Sequence, residues 1–124
     1  MAKRIAVLLI FTVIAVGCSS SKGAFGIYDK NAVACYYADK FNGNKTASGE
    51  KFSNSKYTAA HKKLAFGTKV KVTNKANGRS VVVIINDRGP FSAGKDIDLS
   101  KKAFMEITDN KSHGNLNVTL EIAK

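Results

Sequence analysis

Hydrophobic and polar positions alternate along several short segments of the chain, as they do in strands with one buried face. Residues 33–38 form a first apolar segment, residues 68–73 alternate Val with Lys, and residues 116–122 repeat with a period of two. Residues 80–85 contain consecutive β-branched side chains and are apolar on both faces, which predicts a core strand covered on both sides. The pattern therefore predicts a small all-β domain.

Turn residues separate these segments. Asn77-Gly78 predicts a tight type I′ hairpin turn between residues 68–73 and a returning strand at residues 79–86, because both turn residues tolerate positive φ. The following Asp-Arg-Gly-Pro at residues 87–90 ends that strand, since proline cannot donate a hydrogen bond to a ladder.

One short helix is predicted near the C-terminus. Ser100 is typical of a helix N-cap, and residues 101–108 would place Ala103, Phe104 and Ile107 towards the core. Several short strands with a single helix predict a small barrel.

The N-terminal residues are typical of an export signal. A basic start precedes an apolar run at residues 5–16, and Ala15-Val16-Gly17-Cys18 resembles the bacterial lipobox, in which cleavage precedes the cysteine and the cysteine is acylated. We expect a signal peptide at residues 1–17, a lipidated Cys18 with a flexible tether at residues 18–31, and a domain at residues 32–124. Two alternatives stay open: an ordinary secretory signal with an incidental Cys18, and a Cys18–Cys35 disulfide in an unlipidated protein. Otherwise Cys35 is interpreted as a small buried side chain in a strand.

Charge narrows the possible partners. The chain of 124 residues has a formal net charge of +11, and removal of Lys3 and Arg4 with the signal leaves +9. For an exported protein this charge favours anionic phospholipid headgroups and acidic wall polymers, and no nucleic acid partner is expected. The alternative is that scattered lysines only keep the domain soluble.

Seven sequence blocks carry a resemblance to a known family. They are Thr46-Ala47-Ser48-Gly49-Glu50, Ala59-Ala60-His61, Phe66-Gly67-Thr68, Val72-Thr73-Asn74, Asn77-Gly78-Arg79-Ser80-Val81, Asn86-Asp87-Arg88-Gly89-Pro90-Phe91 and Ile97-Asp98-Leu99-Ser100. Over about residues 36–122 the chain resembles the rare lipoprotein A (RlpA) family. The resemblance implies a six-stranded double-psi β-barrel.

The resemblance also implies an activity. Family members are peptidoglycan lytic transglycosylases, which cleave the glycan between N-acetylmuramic acid and N-acetylglucosamine and leave a 1,6-anhydro end without consuming water. One carboxylic acid that later acts as a base can suffice for this reaction, unlike ordinary two-carboxylate glycoside hydrolysis. No cofactor and no metal are expected.

The site residues are carried over from the family motifs. The resemblance implies a catalytic set of Glu50, His61 and Asp87. Asp87 is predicted as the proton donor, because it directly follows a buried strand and precedes a tight turn. Glu50 would be a second acid or hold the sugar, His61 would orient a carboxylate or stabilise developing charge, and the two roles are exchangeable. The predicted substrate-binding residues are Tyr37, Phe41, Arg88, Phe91 and Asp98.

Each of these residues also has a structural alternative. Asp87 and Glu50 can be turn residues, and His61 can be a hydrogen-bonded histidine at the barrel rim. Asp98 can cap the helix that follows it. A metal site built from Glu50, His61 and Asp87 matches no known zinc spacing.

Two rival functions stay open beside the enzyme: a non-catalytic glycan-binding or wall-loosening protein, and an inhibitor or scaffold for another wall enzyme. The family often carries a C-terminal SPOR domain for glycan stripped of stem peptides, and the sequence ends at Lys124 after the last predicted strand. Localisation to division sites and preference for denuded glycan therefore stay open. We expect a lipid-anchored monomer in the bacterial cell envelope, on the outer membrane or the cell membrane, with possible division or wall-remodelling proteins as partners.

Overall fold

A computed structural model describes residues 24–124 and contains six strands, one α-helix and a 3-10 turn at Asp39–Phe41. The elements are β1 (Phe25–Tyr36), β2 (Thr58–His61), β3 (Lys69–Asn74), β4 (Ser80–Asp87), β5 (Ile97–Leu99), α1 (Lys101–Ile107) and β6 (Leu116–Ala123). The all-β architecture of six strands with one short helix is confirmed. The predicted signal peptide and Cys18 lie outside the described residues.

The six strands close into a barrel in the order β1-β5-β2-β4-β3-β6. The pairs β1–β5 and β2–β4 are parallel, and the other four pairs are antiparallel. Parallel neighbours need crossover connections, and these two crossovers bring the ends of four strands to one region of the barrel.

Alternating apolar residues fill the barrel. Val81, Val83 and Ile85 of β4 point inward and are buried, together with Val70 and Val72 of β3. β4 is a core strand, as predicted, but it is not covered on both faces along its length, because Val82 is 41% exposed between the inward-facing positions. Its neighbours β2 and β3 pair with its two edges and leave the outer face at Val82 open to solvent.

The helix α1 closes one side of the barrel. Ser100 is its N-cap, and its hydroxyl oxygen accepts a hydrogen bond from the backbone N–H of Ala103 at 3.3 Å. Ala103, Phe104 and Ile107 are fully buried, as predicted. Asp98 does not cap the helix, since Ser100 occupies that position.

The hairpin between β3 and β4 differs from the predicted type I′ turn. Only Gly78 has a positive φ there, at 77°, and no described residue other than glycine has one. The N–H of Gly78 donates to the carbonyl of Asn74, so the connection is a four-residue loop at 75–78. Asn77 instead uses its side chain, whose Oδ1 accepts from the Arg79 N–H at 2.9 Å.

The first strand begins earlier than the sequence predicts. β1 starts at Phe25, so residues 25–31 of the predicted tether pair with β6. Register shifts between Ile27 and Asp29 and between Asp29 and Ala32 break the alternation that identifies a strand in a sequence. A domain starting at residue 32 would lack about half of β1.

Candidate functional site

Four side chains lie in one row across neighbouring strands at the crossover region. Asp87 of β4 pairs with Ala60 of β2, Ala60 pairs with Asp98 of β5, and Asp98 pairs with Cys35 of β1. Directly paired residues share a face of the sheet, and neighbouring strands lie about 4.8 Å apart. The two aspartates therefore flank a buried alanine, with backbones about 10 Å apart.

This row borders a cleft with a volume of about 890 Å³. Its lining includes Asp87, Asp98 and Cys35, together with Tyr37, Phe41, Arg88 and Phe91. Lys45 and Lys95 add two further positive charges. The cleft thus combines two carboxyls with aromatic rings and basic side chains.

Asp87 is held by three hydrogen bonds. Its Oδ1 accepts from the backbone N–H groups of Ala47 at 2.8 Å and Arg88 at 2.9 Å, and its Oδ2 accepts from the Tyr37 hydroxyl at 2.5 Å. Such donors stabilise a carboxylate in its ionised form. The role of Asp87 as proton donor stays a prediction, and this bonding suits a fixed carboxylate that accepts a proton.

The segment that follows β4 contains a backbone position that favours glycine. Gly89, two residues after Asp87, has a φ of 129°, a conformation that residues with a Cβ rarely adopt. The Asx-type turn considered from the sequence, in which the Asp87 carboxylate caps Gly89, is not among the hydrogen bonds of the described residues, since Asp87 accepts from the adjacent Arg88 N–H instead. Asp87 therefore has one local backbone donor beside its two long-range donors.

Aromatic rings form the wall and the rim of the cleft. Tyr37 is buried, stacks on Phe52 with ring centroids 4.0 Å apart and meets Phe41 edge to face at 6.1 Å. Burial and the hydrogen bond to Asp87 raise the pKa of the Tyr37 hydroxyl, which therefore stays a donor. Phe91 stands at the rim and is 84% exposed. Flat exposed rings of this kind suit the C–H faces of sugars.

Asp98 has a different environment from Asp87. Its Oδ1 accepts a long hydrogen bond from the Cys35 thiol at 3.6 Å, and burial raises the pKa of the carboxyl to about 6. Cys35 is a free thiol among residues 24–124, and burial followed by the charge of Asp98 raises its pKa to about 12. Cys35 lies in strand β1, as predicted, but it is only half-buried and its thiol borders the cleft.

Glu50 lies beside the cleft and not in its lining. It is exposed, and its Oε1 accepts a hydrogen bond from the side-chain amide of Asn86 at 3.0 Å. Asn86 directly precedes Asp87, and its Oδ1 is the buried side-chain atom without a hydrogen-bond partner in the described part of the chain. Glu50 therefore reaches Asp87 only through its neighbour.

His61 also lies outside the cleft lining. Its Nδ1 accepts hydrogen bonds from the backbone N–H groups of Lys63 at 3.0 Å and Leu64 at 3.2 Å, and burial lowers its pKa. The Arg88 guanidinium donates to the carbonyls of Leu64 at 2.9 Å and His61 at 3.3 Å. His61 therefore orders the loop that positions Arg88, as in the structural alternative considered for it.

The structure thus brings Asp87, Tyr37, Phe41, Arg88, Phe91 and Asp98 together at the cleft, whereas Glu50 and His61 do not line it. Sequence reasoning missed Cys35, Lys45 and Lys95 as cleft residues. A signal existed for Cys35, since it precedes Tyr37 by two residues, the spacing at which side chains of an extended segment share a face. None existed for the lysines, which lie in loops.

The described residues contain neither a cluster of metal-binding side chains nor a helix suited to cross a membrane. Across residues 24–124, no group of three His, Cys, Asp or Glu side chains is arranged to hold a metal ion. Over the same part of the chain, no helix has the length and apolar content needed to cross a membrane.

A closed barrel with two parallel strand pairs, and with a cleft that combines two carboxyls, aromatic rings and basic side chains, defines a double-psi β-barrel with a candidate glycan site. The family model described as lytic transglycolase matches residues 30–120. The chain belongs to this family, in agreement with the resemblance noted from its motifs.

Relatives in this family carry the RlpA name. "Probable endolytic peptidoglycan transglycosylase RlpA" of Synechocystis sp. is 52% identical over 95 residues, which are 77% of this chain and 29% of that protein. The protein of the same name from Treponema pallidum is 59% identical over 74 residues, 60% of this chain and 23% of that protein. "Endolytic peptidoglycan transglycosylase RlpA" of Pasteurella multocida is 52% identical over 88 residues, 71% of this chain and 30% of that protein. The chain spans less than a third of these relatives' length.

Solved structures share the fold at low sequence identity. The Streptomyces papain inhibitor matches with a TM-score of 0.63 and 22% identity, over 82% of this chain and all of that chain. An expansin from Clavibacter michiganensis matches with a TM-score of 0.59 and 20% identity, over 78% of this chain and 51% of that chain. These likenesses concern the barrel alone.

Proposed function

We propose that this protein is a peptidoglycan lytic transglycosylase, which cleaves between N-acetylmuramic acid and N-acetylglucosamine and forms a 1,6-anhydro end. The observation that carries the proposal is the cleft in which Asp87 is fixed by three hydrogen bonds beside an aromatic rim. Membership of the lytic transglycolase family and relatives named as endolytic peptidoglycan transglycosylases support it.

The geometry suits an internal cyclisation. In this reaction the muramyl 6-hydroxyl attacks C1 of its own sugar while the leaving oxygen receives a proton. Asp87 is fixed by rigid backbone donors and Tyr37, so its carboxylate can meet a bound hydroxyl without reorganising. Arg88 and Lys95 supply positive charge for acidic parts of the glycan.

The surroundings of the protein follow from its N-terminal sequence. We propose that Cys18 is acylated and attaches the barrel to a bacterial membrane, within reach of the wall. The support is the lipobox-like Ala15-Val16-Gly17-Cys18 and the basic chain, which favours anionic envelope polymers. Mass analysis of the mature chain tests this, since acylation adds the mass of the lipid to a chain that begins at Cys18.

A second candidate function is glycan binding without cleavage. The observation that favours it is that two of the three predicted catalytic side chains, Glu50 and His61, do not line the cleft. The exposed Phe91 ring and the basic rim serve a binder equally well.

Incubation of the full chain in detergent with purified peptidoglycan, followed by mass analysis of the released fragments, separates the two functions. The enzyme releases 1,6-anhydromuramyl products, and Asp87→Asn lowers their yield by about 100-fold or more. Asp109→Asn makes the same chemical change at an exposed loop position and should leave the yield unchanged. Co-sedimentation with peptidoglycan but no products from the wild type would establish the binder instead.

A further inference from the structure

The second carboxyl of the cleft, Asp98, has almost no hydrogen-bond donors. It lies in the middle of β5, whose flanking residues Ile97 and Leu99 point inward and are fully buried. Its side chain faces the cleft, where among the described residues only the Cys35 thiol donates to it. A thiol is a weak hydrogen-bond donor, so it stabilises the ionised form of this carboxyl only slightly.

Asp87, two strands away in the same row, is the opposite case. Two backbone N–H groups and the Tyr37 hydroxyl donate to it, and all three favour a negative charge. Two carboxyls that share one cleft and differ in this way divide into an acid and a base.

We propose that Asp98 is the catalytic residue that holds and delivers the proton, and that Cys35 is a positioning residue for it. The inference rests on the proposed transglycosylase function and assigns the roles within that cleft. The Asp98 proton goes to the glycosidic oxygen as the bond from that oxygen to C1 breaks. The muramyl O6 forms the new bond to C1 and gives its proton to the Asp87 carboxylate. Proton exchange with water after product release restores both carboxyls.

The groups around Asp98 define its proton affinity. Burial is the largest influence and the negative charge of Asp87 acts in the same direction, so that the pKa of the carboxyl is raised to about 6. The Cys35 thiol and the Lys95 ammonium act in the opposite direction. The neighbouring β2 contributes only the methyl group of Ala60 to the row, and Tyr37 of the segment after β1 donates to Asp87 and not to Asp98.

Cys35 is suited to position the acid because it stays protonated. Burial raises the pKa of its thiol to about 12, so the thiol donates a hydrogen bond over the whole working range. Its Sγ also lies 3.7 Å from the carbonyl oxygen of Ile97, which holds the thiol against β5. Loss of the thiol removes a donor that favours the ionised form of Asp98.

Carboxyl titration by NMR of the full chain in detergent, labelled with 13C-aspartate, tests the protonation state without any substrate. Asp98→Asn assigns the signal. We expect Asp98 to titrate near pH 6 in the wild type, above pH 6 in Cys35→Ala, and near the wild-type value in Cys35→Ser, whose hydroxyl also donates. An Asp98 that titrates near pH 4 overturns the proposal, whatever the activity.

The pH profile of product release tests the catalytic role. Because the acid must be protonated, activity should fall as the pH rises through about 6, and Cys35→Ala should move this fall to higher pH. Asp98→Asn should lose about 100-fold or more, while Asp109→Asn keeps wild-type activity.

The outcomes separate the inference from the function on which it rests. An active wild type with a fully active Asp98→Asn variant overturns the role of Asp98 and leaves the transglycosylase standing. A wild type that binds peptidoglycan and releases no products overturns both. A Cys35→Ala profile identical to the wild-type profile overturns the role of Cys35.

Discussion

Polar side chains near the two ends of β4 differ in how completely they are hydrogen-bonded. At the start of β4, Asn74 and Asn77 donate side-chain N–H groups to the carbonyl of Ile107 at 2.8 and 3.1 Å, and Arg79 donates to the carbonyl of Thr108 at 3.1 Å. These contacts satisfy the last carbonyls of α1. At the other end of β4, Asp98 has one weak donor beside it, and Asn86 Oδ1 has no partner among residues 24–124.

This difference separates structural polar groups from functional ones. Asn74 is buried and uses both ends of its amide, since its Oδ1 accepts from the Ala76 N–H at 3.0 Å. A saturated neutral group stabilises the fold and has no capacity left for a ligand. A desolvated carboxyl costs stability and keeps a proton available for chemistry.

The largest change in the free energy of unfolding is expected at the start of β4, where the polar side chains are fully hydrogen-bonded. Asn74→Ala removes the shorter of two hydrogen bonds to the Ile107 carbonyl and leaves the Ala76 N–H without its acceptor, and should lower the free energy of unfolding by about 2–3 kcal/mol. Urea unfolding measures this loss, with exposed Asn115→Ala as the control that should change it by less than about 0.5 kcal/mol. Equal losses in both variants would remove the distinction between the two ends.

His61→Ala should lower the free energy of unfolding by a smaller amount, about 1–2 kcal/mol near pH 7.5, because the loop N–H groups of Lys63 and Leu64 lose their acceptor. Burial lowers the pKa of His61, so the unfolded chain binds the proton more readily than the folded one. The stabilisation is therefore present above the unfolded pKa of about 6.5 and is lost as the pH falls through the lower folded value. Unfolding at pH 7.5 and pH 5 should show the two proteins converging in acid, and exposed His113→Ala should show no such convergence.

A substitution in the cleft is expected to change the free energy of unfolding in the opposite direction. Asp98→Asn should raise the free energy of unfolding at pH 7 by about 1 kcal/mol, a value that allows for screening by water in the open cleft. The folded pKa of about 6 lies above the unfolded value, so the cost of the carboxylate grows as the pH rises from about 4 to 6 and vanishes below. Thermal unfolding at pH 7 and pH 4 measures it against Asp109→Asn. A destabilised Asp98→Asn variant at pH 7 would contradict the assignment of Asp98 to the functional end.

The smallest effect on stability is expected at the rim. Phe91→Ala removes a ring that is 84% exposed and should change stability by less than about 0.5 kcal/mol. It should weaken co-sedimentation with peptidoglycan by about 3- to 10-fold, because the ring offers a face for sugar packing. Val82→Ala changes an exposed apolar side chain on another face and should leave co-sedimentation unaltered.

The sequence predicts the barrel strands well where each strand is regular. β3 alternates without interruption, β4 is a run of β-branched residues, β6 repeats with a period of two over most of its length, and Ser100 suits a helix N-cap, so their positions follow from local rules. The start of β1 does not, because two register shifts place polar side chains where the alternation requires apolar ones. The hairpin differs because Asn77 bonds through its side chain to α1, a contact made 30 residues away.

From the sequence, only those cleft residues that lie in the recognised motifs can be predicted. The resemblance selects Asp87, and the fold places it in the lining, but two of the three donors that hold it, the Tyr37 hydroxyl and the Ala47 N–H, come from segments distant in the sequence. The row that joins Cys35, Asp98 and Asp87 depends on strand register across four strands, which no local pattern encodes. Tertiary pairing therefore decides which carboxyl is desolvated.

The pairing of β1 with β6 has a consequence for redesigning the order of the chain. Phe25 pairs with Ala123, and the Lys124 N–H donates to the carbonyl of Ala24 at 3.2 Å, so the two ends of the barrel lie side by side. A short peptide that joins them, with new termini opened in the exposed loop at residues 109–115, should give a circular permutant with the same strand neighbours. In such a permutant β6 becomes the first strand and is followed directly by β1, while the cleft row of β4, β2, β5 and β1 stays intact.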